Sequence, residues 1–139
     1  MTKIKTTHVG SLPRSNDLSE FLFKKDKKEN INLEKINQII KRDVEKVVKK
    51  QIDIGIDYVS DGEMSKISYA TYVKDRIDGF SGESDRKAPK DLDDYPSFKE
   101  RIARTGGTPK YTRPCCTGEL KIKDKASLTN DIKNFKTSL

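Results

Sequence analysis

The chain has 139 residues, 32% of them hydrophobic and 37% charged, with a formal net charge of +7. At ~100–200 residues per domain this is one domain, residues 1–139, and its apolar share lies below the ~45–50% of an average globular chain, so the core is thin. No uncharged apolar stretch approaches the ~20 residues of a bilayer span and Met1-Thr2-Lys3-Ile4-Lys5 has no signal core, which points to a cytoplasmic chain without a membrane partner.

Ile4 to Val9 is a β-prone run ending at Gly10-Ser11-Leu12-Pro13-Arg14, the pattern of a strand followed by a turn. Asn16 is then placed to cap a short helix through about Phe23, with Asp17 and Glu20 in its early turns, and the charged run 24–30 is expected to interrupt it as a loop. From Asn32 the signal strengthens. Leu33, Ile36, Ile40, Val44, Val47, Val48 and Ile52 recur every three or four residues, which predicts an amphipathic helix capped by Asn32 and stopped at Gly55.

Ile56 to Ser60 reads as a second strand running into Asp61-Gly62-Glu63. Strand, helix and strand make a βαβ unit, so the predicted class is α/β with a parallel, right-handed connection. In such folds ligands gather at the carboxyl ends of strands, and the two polar turns, Gly10-Ser11 and Asp61-Gly62-Glu63, are therefore expected side by side at one mouth. Ser65 is a plausible cap for a further helix through Ile77, with Ile67, Ala70, Val73 and Ile77 inward and Gly79 closing it. Residues 80–95 read as loop, Pro96 as the start of a short helix ending near Arg104, and residues 105–109 as a break. Tyr111 to Cys116 facing Glu119 to Lys123 across Thr117-Gly118 is the expected hairpin, and Ile132, Phe135 and Leu139 mark a last helix.

The positive charge comes from 22 Lys against 7 Arg, interspersed with 22 acids. Nucleic-acid recognition favours arginine in a clustered stripe, so a solvated mixed surface is expected and nucleic acid is not. Cys115 and Cys116 are adjacent, too close for a relaxed disulfide and too few for a structural zinc site. Thr105 to Lys110 lacks the spacing of a phosphate loop. The residues left with chemistry are His8, Gly10, Ser11, Asp61 and Glu63. Asp61 and Glu63 read first as caps of the following helix and otherwise as carboxylates for an ammonium or a proton, His8 first as a structural histidine and otherwise as a titrating one, and Gly10-Ser11 as an anion-binding turn.

At these same residues the sequence resembles the cobalamin-independent methionine synthase family, in Thr6 to Arg14, Gln51 to Glu63, Tyr69 to Phe80 and Arg113 to Gly118, in that order. Within it the chain resembles the short, single-barrel "methionine synthase II" branch, which includes zinc-dependent alkyl transferases acting on other small thiols. The resemblance implies a (β/α)₈ TIM barrel of which this chain supplies the first βα units and an inserted loop or hairpin region, because a whole barrel takes ~250 residues. It implies methyl transfer from a polyglutamylated methyltetrahydrofolate to homocysteine, giving methionine, with a zinc ion that lowers the thiol pKa. Carried over, Val9, Gly10 and Ser11 would hold the amino acid's carboxylate and Glu63 its ammonium, with Asp61 and His8 lining the mouth and no residue assigned a catalytic step. The zinc ligands, a His-x-Cys pair and a later Cys, have no match here. The polypeptide is thus expected to be inactive alone, to self-associate or pair with a complementing chain, or to serve as a metal-free amino-acid or thiol module. Lysines at the mouth would steer the polyanionic folate.

Overall fold

The computed structural model of the chain describes residues 3–82, 90–105 and 114–139. The expected break at 106–109, the start of the hairpin at 111–113 and the middle of the 80–95 loop lie outside them, as do the side chains of residues 69–71 and 102–105.

The apolar stripe after Asn32 builds the longest element, α2, Leu33–Asp53. Asn32 caps it by accepting the Lys35 amide at 2.9 Å. Ile36, Ile39, Ile40, Val44 and Val48 are buried, whereas Leu33 and Ile52, at the ends of the stripe, stay 63% and 48% exposed. Helix α1, Asn16–Asp26, lays Leu18 and Leu22 against that face. Its N-cap is Ser15, not Asn16. The Ser15 amide and hydroxyl both donate to the buried carboxylate of Asp43 on α2, so this helix start is held by a tertiary bond and not by its own side chain. The charged run extends α1 to Asp26 instead of breaking it, because Lys24 pairs with Glu20 one turn back and cations suit a helix C-terminus.

Asp43 also accepts from Arg42, at 3.0 and 2.8 Å, and Arg42 reaches Asp17 of α1. Burial pushes the Asp43 carboxyl up, but the donors from Ser15 and Arg42 outweigh it and hold it below the ordinary range; Arg42 does the same for Asp17, and Lys3 and Thr6 for Asp57. A depressed folded-state pKa means that the unfolded chain takes up protons first as the pH falls. The stability these groups contribute is complete above about pH 5 and is lost below about pH 4, as the pH drops toward the folded-state values. Melting followed by circular dichroism is expected to be flat above that window and to fall steeply below it, and Asp43→Asn to flatten the acid limb while melting lower at neutral pH.

The two predicted strands meet in parallel, but only at one bridge, Thr7 to Tyr58. The Tyr58 amide donates to the Thr6 carbonyl at 3.0 Å, while the Thr6 amide and hydroxyl and Lys3 converge on the Asp57 carboxylate. Ile4 and Val9 are 87% and 86% exposed, so little burial is available to extend the ladder.

Beyond the second bend the structure departs from the sequence expectation. Ser65 starts no helix; residues 62–65 turn, and α3 is Tyr69–Arg76. The Lys66 carbonyl, which a helix starting at Ser65 would have used internally, accepts instead from Arg14 at 2.6 Å. Gly79 closes no helix either. The chain passes at Ile77 into β1, Ile77–Ser81, which pairs antiparallel with β2, Cys115–Ile122, so Thr117-Gly118 lies inside a strand and not at a hairpin tip. Lys90–Leu92 is a single 3₁₀ turn, and α3 here is followed by β1, α4 (Pro96–Thr105, starting at the expected proline) and β2. Asp124 caps α5, Ala126–Lys136, through the Ala126 and Ser127 amides, and α5 packs on α2. Among the described residues the result is a mixed helix-and-strand fold with one two-stranded sheet. Among the described residues no helix is long and apolar enough to cross a membrane.

Candidate functional site

The two polar bends come together. Met64 is fully buried in the α1–α2 core and fixes the second bend to it. Gln51, on the buried face of α2, donates to the Ser60 carbonyl at 2.8 Å and accepts the Ser60 amide at 3.1 Å, which does for the chain entering that bend what a neighbouring strand would otherwise do. Gly62, at φ +63°, lies against Leu12: a Cβ there would stand 3.0 Å from the Leu12 Cβ, and the Leu12 amide donates to the Gly62 carbonyl at 3.0 Å. Glycine fits this approach of one bend to the other without strain, whereas a side chain there would press on Leu12 and Met64.

The side chains follow from the backbone. Ser11 Oγ donates to Glu63 Oε2 at 2.8 Å, joining the tips of the two bends. Glu63 has a φ of +58°, uncommon for a residue with a side chain. Its amide donates to Asp61 Oδ1 at 2.9 Å, and its carbonyl accepts from Arg14 at 3.0 Å. Burial pushes the Arg14 guanidinium below its ordinary pKa, and the nearby Glu63 charge acts against that shift.

Of the residues picked from sequence, Ser11 and Glu63 are in direct contact and Asp61 holds the Glu63 backbone. Gly10 is exposed, Val9 nearly fully so, and His8 is half-buried with its Nε2 buried and unpartnered among the described residues. Sequence reasoning assigned no role to Arg14, Gln51 or Met64. Gln51 left a trace, since a polar residue falls at stripe spacing three after Val48; Arg14 and Met64 left none beyond their closeness to the bends. The bend pair offers a half-buried carboxylate beside a hydroxyl, a place for a group carrying positive charge next to one that accepts hydrogen bonds.

Zinc does not find a ligand set in these residues. Among those described, no three His, Cys, Asp or Glu side chains come together as a metal cluster. Cys115 and Cys116 are consecutive on β2, where neighbouring side chains face opposite sides of the sheet, and both are free.

The touching bends and the helices behind them make a mixed helix-and-strand fold consistent with part of an α/β domain, and sequence comparison gives its family. The profile of the cobalamin-independent synthase catalytic domain matches residues 4–107, and the chain belongs to this family. The 5-methyltetrahydropteroyltriglutamate–homocysteine methyltransferase of Bacillus mycoides (strain KBAB4) is 26% identical over 150 residues, covering 97% of this chain and 20% of the relative. The enzyme of the same name from Buchnera aphidicola subsp. Baizongia pistaciae (strain Bp) is 31% identical over 77 residues, covering 55% of this chain and 10% of the relative. The chain thus spans about a fifth or less of the length of these curated relatives.

Proposed function

We propose that residues 1–139 form the N-terminal part of a (β/α)₈ methyltransferase barrel and bind the amino-acid end of its thiol acceptor, homocysteine in the reaction named for the relatives. The observation that carries this is the 2.8 Å contact between Ser11 and Glu63 across two bends that are 52 residues apart in sequence. Glu63 takes the substrate ammonium, since a carboxylate held half out of water pairs strongly with a cationic donor. The Ser11 hydroxyl turns from Glu63 to donate to the substrate carboxylate, together with backbone amides of the Val9–Ser11 turn. Asp61 keeps the bend in shape, and His8 lines the same mouth.

The methyl transfer itself forms a sulfur–carbon bond to the acceptor as the carbon–nitrogen bond of the methylated pteridine breaks. The single histidine and the adjacent cysteines of this sequence supply none of the His-x-Cys pattern that the resemblance associates with thiol activation, so no residue here is assigned that step. The polypeptide alone is expected to bind the amino acid and to turn over no methyl groups.

Isothermal calorimetry with L-homocysteine and L-methionine tests the reading. Both ligands are expected to bind with and without added zinc, and Ser11→Ala to weaken binding about five- to tenfold, the equivalent of one ordinary hydrogen bond. Absence of binding to the wild-type chain, or an unchanged affinity in Ser11→Ala, overturns it. Competition with other small thiols reports whether the acceptor is homocysteine or another alkylated thiol.

A further inference from the structure

We propose that Arg14 is a positioning residue that locks Glu63 in its left-handed backbone conformation and thereby aims the carboxylate at Ser11. The inference rests on the reading of Glu63 as the ammonium acceptor and adds the residue on which that role depends.

Two non-glycine residues among those described have positive φ, Lys28 and Glu63. Lys28 sits just past the end of α1, where such a conformation is common and local. Glu63 lies in a bend, and there the conformation biases against itself roughly five- to thirty-fold unless something outside the residue holds it. Both of its peptide groups are held. On the amide side, Asp61 Oδ1 accepts the Glu63 N–H at 2.9 Å. On the carbonyl side, one Nη of Arg14 bridges the Glu63 carbonyl at 3.0 Å and the Lys66 carbonyl at 2.6 Å, the two ends of a single turn.

Arg14 belongs to the same short segment as Ser11. Residues 11–14 therefore grip the second bend twice through side chains and once through the backbone: Ser11 on the Glu63 carboxylate, Arg14 on its carbonyl, and the Leu12 amide on the Gly62 carbonyl. A guanidinium suits this task because its donors form a rigid fork, whereas a lysine ammonium is a mobile point charge. The group is also expensive to place there. It is partly buried, and its Nε is buried without a partner among the described residues, so its position satisfies two carbonyls of the bend at the expense of its own hydrogen bonding.

The test uses the 139-residue chain with L-methionine as the probe. Arg14→Ala is expected to weaken binding at least fivefold well below its melting temperature, and to lose the strong intraresidue amide–Hα NOE that a positive φ gives Glu63. Millimolar guanidinium chloride is expected to restore both in Arg14→Ala, where equal sodium chloride does not, and Arg14→Lys to recover only part of each. Should Arg14→Ala fail to fold, the same two readouts on Arg14→Lys decide the matter. Affinity and NOE both intact in the folded variant overturn the proposal, as does a loss of melting temperature alone. Glu63→Gln keeps the two ideas apart. If it loses binding while Arg14→Ala does not, only the positioning role fails; if it binds like the wild type, the ammonium site itself is wrong.

Discussion

Glu63→Gln is expected to lower the affinity for L-methionine and L-homocysteine by about a hundredfold, ~2–3 kcal/mol, with the melting temperature unchanged. Glutamine has the size of glutamate and still accepts from Ser11, which lies 2.8 Å from Oε2 in the native chain, so the bend keeps its shape. What disappears is the negative charge opposite the ammonium, and a charge-assisted bond is roughly twice as strong as a neutral one. Glu63→Gly separates binding from folding more sharply. Glycine adopts the +58° backbone without strain, which offsets most of its larger unfolded-state entropy, so the variant is expected to fold about as stably as the wild type and to bind no amino acid. Calorimetry beside thermal melts reads both quantities, and a Glu63→Gln chain with near-native affinity removes the basis for the site.

Gly79→Val is the largest expected disruption of structure. Gly79 has a φ of +95° and sits where the β1–β2 register shifts between Asp78 and Phe80, a bulge. A Cβ there would lie 2.6 Å from the Glu119 carbonyl oxygen and 2.9 Å from that of Gly118. Both are backbone atoms of the partner strand, so no side-chain rotation relieves the clash. Strain at positive φ for a β-branched residue adds to overpacking, ~3 kcal/mol or more together, and the two strands are expected to separate. Amide exchange should then lose protection across β1 and β2. The α1–α2 core and the Leu12–Gly62 approach do not involve this sheet, so L-methionine affinity is expected to survive. An unperturbed exchange pattern, or loss of binding in parallel with the strands, contradicts this account.

The helices that depend on local periodicity were legible before any coordinates. The Asn32 cap, the α2 stripe, Pro96 at the start of α4 and the final helix all came from spacing and cap chemistry, which act within a few residues. Ser65 misled because its cap signal competes with a long-range donor: Arg14 claims the Lys66 carbonyl from 52 residues away. Thr117-Gly118 misled in the same way, for a turn-like pair was absorbed into a strand once β1 offered an antiparallel partner and Gly79 admitted the bulge. Asp43 and Gln51 were the polar exceptions on the α2 stripe, and each turned out to be buried because a neighbouring segment needs its hydrogen bonds.

By itself, then, the sequence determined the helices that rest on a continuous apolar stripe or a proline start, that two polar bends follow the first two β-prone runs, and which family the chain belongs to, since these rest on local pattern and on residue identity in order. Only the tertiary structure decided that the bends touch through Ser11 and Glu63, that Gly62 is the residue that lets them, and that Arg14 holds Glu63 in a conformation it would otherwise leave. Those contacts join residues about fifty positions apart, and their energy depends on distance and burial, which no local spacing encodes.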